Sequence, residues 1–329
     1  MNSYQIYTLI DPKGLEAHIS NYGAKILRLL VPDSQGERVD VVLGFSQPED
    51  WLMKETYFNA VIGRCANRIK DGRFSLNGRE YQLPINNGTN SLHGGVHGFN
   101  EKYWDVISAD AQHIKLHYRA ADGEEGYPGN LDVYVTYRVE NNALSIRYEA
   151  TTDAPTLVNF TNHAYFNLNG EGTPSVRDHV LQVLADEYTP FDETACPTGE
   201  ILPVEGTPMD FRMPCPIGER IDDPFFVPGR GIDNNWALRA NKTHEPQLAA
   251  VLTTPKRTME VWTTCPALQV YTGNYVENNI GKSGAMYRPQ NAVCLETQNC
   301  PDAINHANFP SPVLLPNHTF NEQTIYRFK

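Results

Sequence analysis

Nothing in this sequence is long and apolar enough to span a bilayer as a helix. The opening MNSYQIYTLIDPKG also lacks the positively charged start and apolar run of a signal peptide or anchor, so neither is expected. Positive charge is scarce: 27 basic residues stand against 39 acidic ones, for a net charge of −12. Nucleic acid and anionic membrane surfaces are recognised by clustered Lys and Arg, so neither is expected as a partner. The six cysteines (65, 196, 215, 265, 294 and 300) form no CxxC and no metal-ligand spacing. In a chain of this length they read as buried reduced thiols, which favours a cytoplasmic location.

Nucleotide and nucleophile signatures are missing as well. There is no P-loop and no GxSxG elbow, and Gly229-Arg-Gly231 lacks the third glycine of a dinucleotide fingerprint. His93 and His97 have the spacing of a zinc helix, but the pair of glycines between them disfavours a helix there. His113 and His117 lie in an alternating, strand-like run with no acid identified beside them. No metal, phosphate or nucleotide site is supported, and no cofactor is expected.

What is present is a succession of short alternating or apolar runs, among them AHISNYGAKILRLLVPD, IKLHYRA, MEVWTTCPALQVYTGNY and NAVCLETQ. Turn formers separate them: 28 Asn, 24 Gly and 23 Pro. Two β-rich runs within residues 131–150 join through Glu140-Asn141-Asn142, a hairpin signal. Helix signals are few. Ser46 with Glu49 makes a capping box before Trp51 and Leu52, and EPQLAAVL (245–252) reads as a short helix cut off at Pro255. The Pro- and Gly-rich stretch 196–230 reads as long loops within one body, and no linker divides the chain. The expectation is all-β: one large antiparallel β-sandwich or barrel domain over residues 1–329.

Polar residues set inside β-forming runs are the candidates for function. In VNFTNHAYFNL, Val158, Phe160, Ala164, Phe166 and Leu168 fall on one side with Asn162. Asn159, Thr161, His163, Tyr165 and Asn167 fall on the other, because successive strand side chains point to opposite faces. An uncharged polar face with one central histidine suits a neutral polyhydroxyl ligand. Glu296 follows Val-Cys-Leu in a strand-like run, where desolvation raises a carboxyl pKa and suits it to proton transfer. Arg64 and Arg68 read either as clamps for hydroxyl groups or as structural partners for acids. Asp233 reads as a sugar acceptor or a turn cap, and Gln269 shares a strand face with Tyr271. Trp236 reads as core.

Taken together, VVLGF, YFNAVIGRCANRI, NSLHGG, FTNHAYFNL, EGTPMDFR, GIDNNW, LQVYTGN and CLETQNCPDAINHANFP run in order from residue 41 to residue 310. In this the chain resembles the aldose 1-epimerases (galactose mutarotases). The resemblance implies a large antiparallel β-sandwich, the supersandwich, without a cofactor. It implies an isomerase that interconverts the α and β anomers of a free aldose such as D-galactose or D-glucose. His163 would be the general acid at the ring oxygen and Glu296 the base at the anomeric hydroxyl, on opposite sides of the ring. Asn67, Arg68, His93, Tyr165, Asp233 and Gln269 would bind the monosaccharide. Asn59 stands where the family commonly has glycine and Asn234 where it frequently has histidine, departures expected to bear on which sugars fit. The competing reading is a non-catalytic carbohydrate-binding protein on the same fold. A monomer and a homodimer are both compatible with the sequence.

Overall fold

The computed structural model describes residues 3–53, 57–238, 243–277 and 279–329. Alternation decides its architecture. In the strands Leu131–Glu140 and Ala143–Thr152, residues such as Val133, Val135, Tyr137, Ile146 and Tyr148 are buried, while most of the side chains between them are partly or fully exposed. A sheet apolar on one face must cover that face. These two strands belong to a nine-stranded antiparallel sheet. In spatial order it runs Asp105–Ala109, His113–Ala120, Leu131–Glu140, Ala143–Thr152, Phe320–Phe328, Thr258–Thr263, Gln247–Thr253, Val180–Val183 and Cys215–Pro216. Its middle strand is therefore the last strand of the chain.

A five-stranded antiparallel sheet, ordered Leu202–Pro203, Glu187–Thr189, Asp233–Ala237, Ala267–Tyr271 and Cys294–Gln298, supplies the cover. Leu268, Val270 and Leu295 join the same buried cluster as Val133, Ile146 and Tyr326. The Tyr326 hydroxyl donates to the Leu295 carbonyl at 3.2 Å, and Thr297 hydrogen-bonds Thr324, so the two sheets meet through polar as well as apolar contacts. A four-stranded sheet (Ile6–Ile10, Glu16–Ser20, Ile26–Pro32, Arg38–Asp40) extends the core with Leu9, Ala17, Ile19, Leu29 and Val31. The fold is the expected antiparallel β-sandwich.

The hairpin expected at Asn141-Asn142 is present, and both residues have positive φ (55° and 56°), as a two-residue primed turn requires. A single short α-helix, Pro48–Met53, is found among the described residues, opening with a proline whose missing N–H costs nothing in a first turn. The expected helix within 245–252 is instead the strand Gln247–Thr253, bulged between Leu248 and Ala250 and paired on both sides. Tertiary pairing overrides the helix propensity of Leu-Ala-Ala there. VNFTNHAYFNL is not one regular strand either. Thr156–Leu157 just before it and Thr161–Asn162 within it pair with different partners, and Phe166 bridges both Val42 and Val293. All eleven residues are buried, so its polar side faces the protein's interior surfaces and not open solvent. Among the described residues no helix is long and apolar enough to cross a membrane. All six cysteines are free thiols, five of them buried and Cys215 half-buried.

Tyr137 ties this segment to the large sheet. Its hydroxyl donates to the Ala24 carbonyl at 2.6 Å and accepts from Asn162 Nδ2 at 3.2 Å, one residue before His163. Tyr137→Phe leaves a buried carbonyl and a buried amide hydrogen without a partner, a loss of about 1–3 kcal/mol. A urea titration is expected to show a lower midpoint with an unchanged slope; an unchanged midpoint would mean that the hydroxyl does not brace this segment.

Candidate active site

Strand alternation builds the floor of the site. In Cys294–Gln298, Leu295 and Thr297 point to the sandwich core, which turns Cys294, Glu296 and Gln298 to the opposite face. The neighbouring strand pairs Gln269 with Glu296 and Tyr271 with Cys294, and the strand beyond pairs Asp233 with Tyr271. Acid, amide and phenol therefore form one patch on the outer face of the five-stranded sheet. Gln269 Nε2 donates to Asp233 Oδ1 at 2.7 Å, which fixes both side chains.

His163 arrives from the irregular segment opposite, and its Nε2 lies 3.6 Å from Glu296 Oε1. That is contact without a hydrogen bond. The segment is held by backbone bonds from Asn59 N–H to the His163 carbonyl and from His163 N–H to Ala60 O, each at 2.9 Å. Asn59 adds two side-chain bonds: Oδ1 accepts from Tyr165 N–H at 3.0 Å, and Nδ2 donates to Leu43 O at 2.7 Å. Its φ of 57° accounts for the glycine common at this position. The Tyr165 ring stacks on the His163 ring at 4.9 Å between centroids.

The third wall is the turn between Asn67 and His93. Arg68 pairs with Leu92, His93 N–H donates to the Asn67 carbonyl, and Asn67 N–H donates to His93 Nδ1 at 3.2 Å. That last bond leaves Nε2 as the protonated nitrogen of a neutral His93. Gly94, at φ +90°, lies so close to the Gly63 carbonyl that a Cβ would fall 2.0 Å from its oxygen. Gly94 thus serves a backbone crossing, while Gly95 makes room for the Glu125 carboxylate. His97 diverges from His93, with a largely exposed side chain paired to Glu101, so the HGGVH spacing brings no two histidines together.

His163, Glu296, Asn67, Arg68, His93, Tyr165, Asp233 and Gln269 all line one cavity of about 830 Å³. Arg68 donates from Nε to Asn87 Oδ1 at 3.0 Å and stays at the wall. Arg64 is structural: it is buried and donates to the carbonyls of Pro128, Gly129 and Ala121 and to Thr156 Oγ1. Trp236 is core, its indole N–H donating to Met209 O. Asn59 and Asn234 are both absent from the cavity wall, and Asn59 reaches it only through its bond to Tyr165. The amides beside His163 are also spent elsewhere. Asn159 bonds Asn299 and Ala66, and Asn167 bonds the carbonyls of Asn291 and Thr173. His113 and His117, read without an acid, meet Asp110 and Asp132. Strand pairing brings Asp132 to His117 from the adjacent strand, whereas Asp110, three residues before His113, was legible in the sequence.

Sequence reasoning missed Tyr57, Asn87, Glu193, Tyr275 and Glu277, which complete the wall and rim. Tyr57 and Tyr275 carried a signal, in YFNAVIGR and PALQVYTGNY; the others come from loops without strand pattern.

Burial dominates the electrostatics. It lowers the His163 imidazole to about 3 and raises the Glu296 carboxyl well above its ordinary 4.5, with the nearby Asp233 carboxylate adding to the latter. His93 is lowered well below 6.5 by burial first and by His163 and Arg68 after it. Burial alone thus favours a proton on Glu296 and a neutral His163. His163 Nδ1 and Glu296 Oε2 are buried without a hydrogen-bond partner.

Linkage gives the sign of the pH dependence. Unfolded, Glu296 ionises near 4.5; folded, it keeps its proton to well above that value. The buried acid form favours folding fully below about 4.5, and that contribution is lost as pH rises toward the folded pKa. Glu296→Gln has no charge to bury. Its stability relative to wild type is expected to grow from pH 4.5 to pH 8, by up to about 1.4 kcal/mol per pH unit. Melting curves that keep a constant separation across that range would refute a desolvated Glu296.

Comparison with known proteins agrees with this geometry. The family described as Aldose 1-epimerase matches residues 5–327. A galactose mutarotase from Mus musculus is 44% identical over 317 residues, covering 95% of this chain and 91% of that protein. An aldose 1-epimerase from Escherichia coli (strain K12) is 35% identical over 332 residues, covering 99% and 95%. Among solved structures, an aldose epimerase homologue from C. elegans superposes with a TM-score of 0.91 at 30% identity, covering 99% of each chain. A galactose 1-epimerase from Lactobacillus acidophilus NCFM superposes at 0.86 and 31% identity, covering 99% and 94%. With a match spanning nearly every residue and a cavity lined by all eight expected side chains, the chain belongs to the aldose 1-epimerase family.

Proposed function

We propose that this protein is a cofactor-independent mutarotase, interconverting the α and β anomers of a free aldose such as D-galactose or D-glucose. One observation carries the reading. An imidazole and a carboxyl group lie 3.6 Å apart in the wall of a cavity otherwise rich in neutral hydrogen-bonding side chains. The reaction exchanges two protons at oxygens that share one carbon, O1 and O5. Groups side by side serve both oxygens from one edge of the ring, so an arrangement across the ring, as first expected, is not needed.

The pair requires one proton between its two members. Sugar hydroxyls that hydrogen-bond the carboxylate favour its ionised form, and transfer of the proton to His163 gives the reactive state. Glu296 then takes the O1 proton as the C1–O5 bond breaks, and the bond's electrons go to O5, which takes the proton from His163. The open-chain aldehyde rotates about C1–C2 and closes on either face by the reverse steps. Both groups return to their starting states, so no external acid, base or cofactor is consumed. The His93 Nε2–H, the Arg68 guanidinium and the Asn67 amide are donors for sugar oxygens. Tyr165, Gln269 and Asp233 complete the binding set, Asp233 as an acceptor. The reading of residues 1–329 as one domain is supported by a buried cluster running from Leu9 to Phe328.

Freshly dissolved α-D-galactose followed by polarimetry tests the reading. Wild type is expected to speed the approach to anomeric equilibrium. Glu296→Gln and His163→Asn should each lower kcat by about 10²–10⁴-fold while circular dichroism stays native. The double variant should lose little more than the worse single one, because the two groups act as a unit. Wild-type silence on galactose, glucose and xylose with sugar binding intact would instead favour the carbohydrate-binding reading.

A further inference from the structure

The face that carries Glu296 carries a third donor for which the sugar chemistry has no use. Cys294 lies two residues before Glu296 on the same strand face, fully buried in one cluster with Tyr165 and Tyr271, and its thiol is free. Donor atoms of His163, Cys294 and Glu296 all lie within 4.8 Å of one another. We propose that these three side chains form an inhibitory binding site for a thiophilic divalent cation, Zn²⁺ above all. The site rests on the side chains alone, and only its inhibitory consequence rests on the mutarotase reading.

The donor set selects the ion. Thiolate, imidazole and carboxylate together match Zn²⁺ and its soft neighbours, while Mg²⁺ and Ca²⁺ require all-oxygen shells. Tetrahedral Zn²⁺, with bonds of about 2.0–2.3 Å, holds its donors about 3.3–3.8 Å apart. His163 Nε2 and Glu296 Oε1 already stand at 3.6 Å, and with all three donors within 4.8 Å of one another only a small contraction is needed. Three protein ligands leave a fourth position, which a water can take. His163 Nδ1 and Glu296 Oε2 are buried without a partner, so neither ring nor carboxyl is tied down by a bond that metal binding would have to break. Binding would release the Cys294 thiol proton and the Glu296 proton to solvent. It would occupy both groups that move protons during ring opening. Sequence spacing could not reveal this set, because His163 and the Cys294–Glu296 pair come from separate segments.

Cobalt substitution is the test, on the full chain at neutral pH. Co²⁺ is expected to give a thiolate-to-cobalt charge-transfer band in the near ultraviolet that saturates at one equivalent. Zn²⁺ should bleach it and D-galactose should weaken it. Cys294→Ser, close to isosteric, should abolish the band and weaken Zn²⁺ binding at least as much as loss of an outer-sphere partner does, about 10–100-fold. Zn²⁺ should also slow mutarotation competitively with sugar, and EDTA should restore the rate. A wild-type protein without the band at millimolar Co²⁺, or a band that survives in Cys294→Ser, would overturn the site. Failure of galactose turnover alone would count against the mutarotase reading and leave the cobalt result decisive for the metal.

Discussion

Everything distinctive about this protein depends on one strand, Cys294–Gln298, being buried on both faces. A sheet strand normally has one wet face, and a glutamate on that face would be solvated and ionised. Here Leu295 and Thr297 are fixed by the sandwich core. Strand periodicity leaves Glu296 no choice but the other face, which the His163 segment and the Asn67–His93 turn have already enclosed. The carboxyl is desolvated because the fold needs Leu295 where it is. Its raised pKa is first a consequence of topology, with the Asp233 carboxylate adding to burial.

The same enclosure fixes the site through hydrogen bonds away from its reacting atoms. The histidine is held through its backbone and neighbours, leaving its imidazole unspent. Asn59 takes a positive φ and turns its amide into a two-ended clamp between Leu43 and Tyr165, while Asn162 reaches back to Tyr137 and to the Asn59 carbonyl. His163 Nδ1 and Glu296 Oε2 are buried without a hydrogen-bond partner. Unpaired buried polar atoms cost stability, and here the cost falls on the two side chains whose Nε2 and Oε1 stand 3.6 Å apart at the cavity.

Local features of the fold were legible in the sequence, and long-range ones much less so. The Asn141-Asn142 turn announced its hairpin because two positive φ values suit few residue pairs. Glu296 and His163 stood out because a polar side chain inside a β-forming run breaks a simple pattern. The segment 247–253 was misread because Leu-Ala-Ala-Val has no alternation and its strand character comes from partners on either side. The central place of Phe320–Phe328 in the large sheet was invisible for a similar reason: sheet order is a property of pairing between distant segments. Asn159 and Asn167 looked like ligand-binding amides from strand parity alone. Parity says which way a side chain points, but not what waits for it there, and backbone carbonyls had already claimed both.

The chemistry asked of the pair shows why burial of both groups is compatible with catalysis. A single buried charge would be costly, and an isolated buried carboxylate would simply stay protonated. Two groups that share one proton escape this, since moving it from Glu296 to His163 creates opposite charges 3.6 Å apart, and these stabilise each other in the low-dielectric interior. The neutral and zwitterionic arrangements then differ by a balance of desolvation against attraction, which hydrogen bonds from sugar hydroxyls can tip. An exposed pair would gain little from either term, because water would already screen it. The enclosed strand therefore does more than hold two residues near each other: it makes their shared proton responsive to what occupies the cavity.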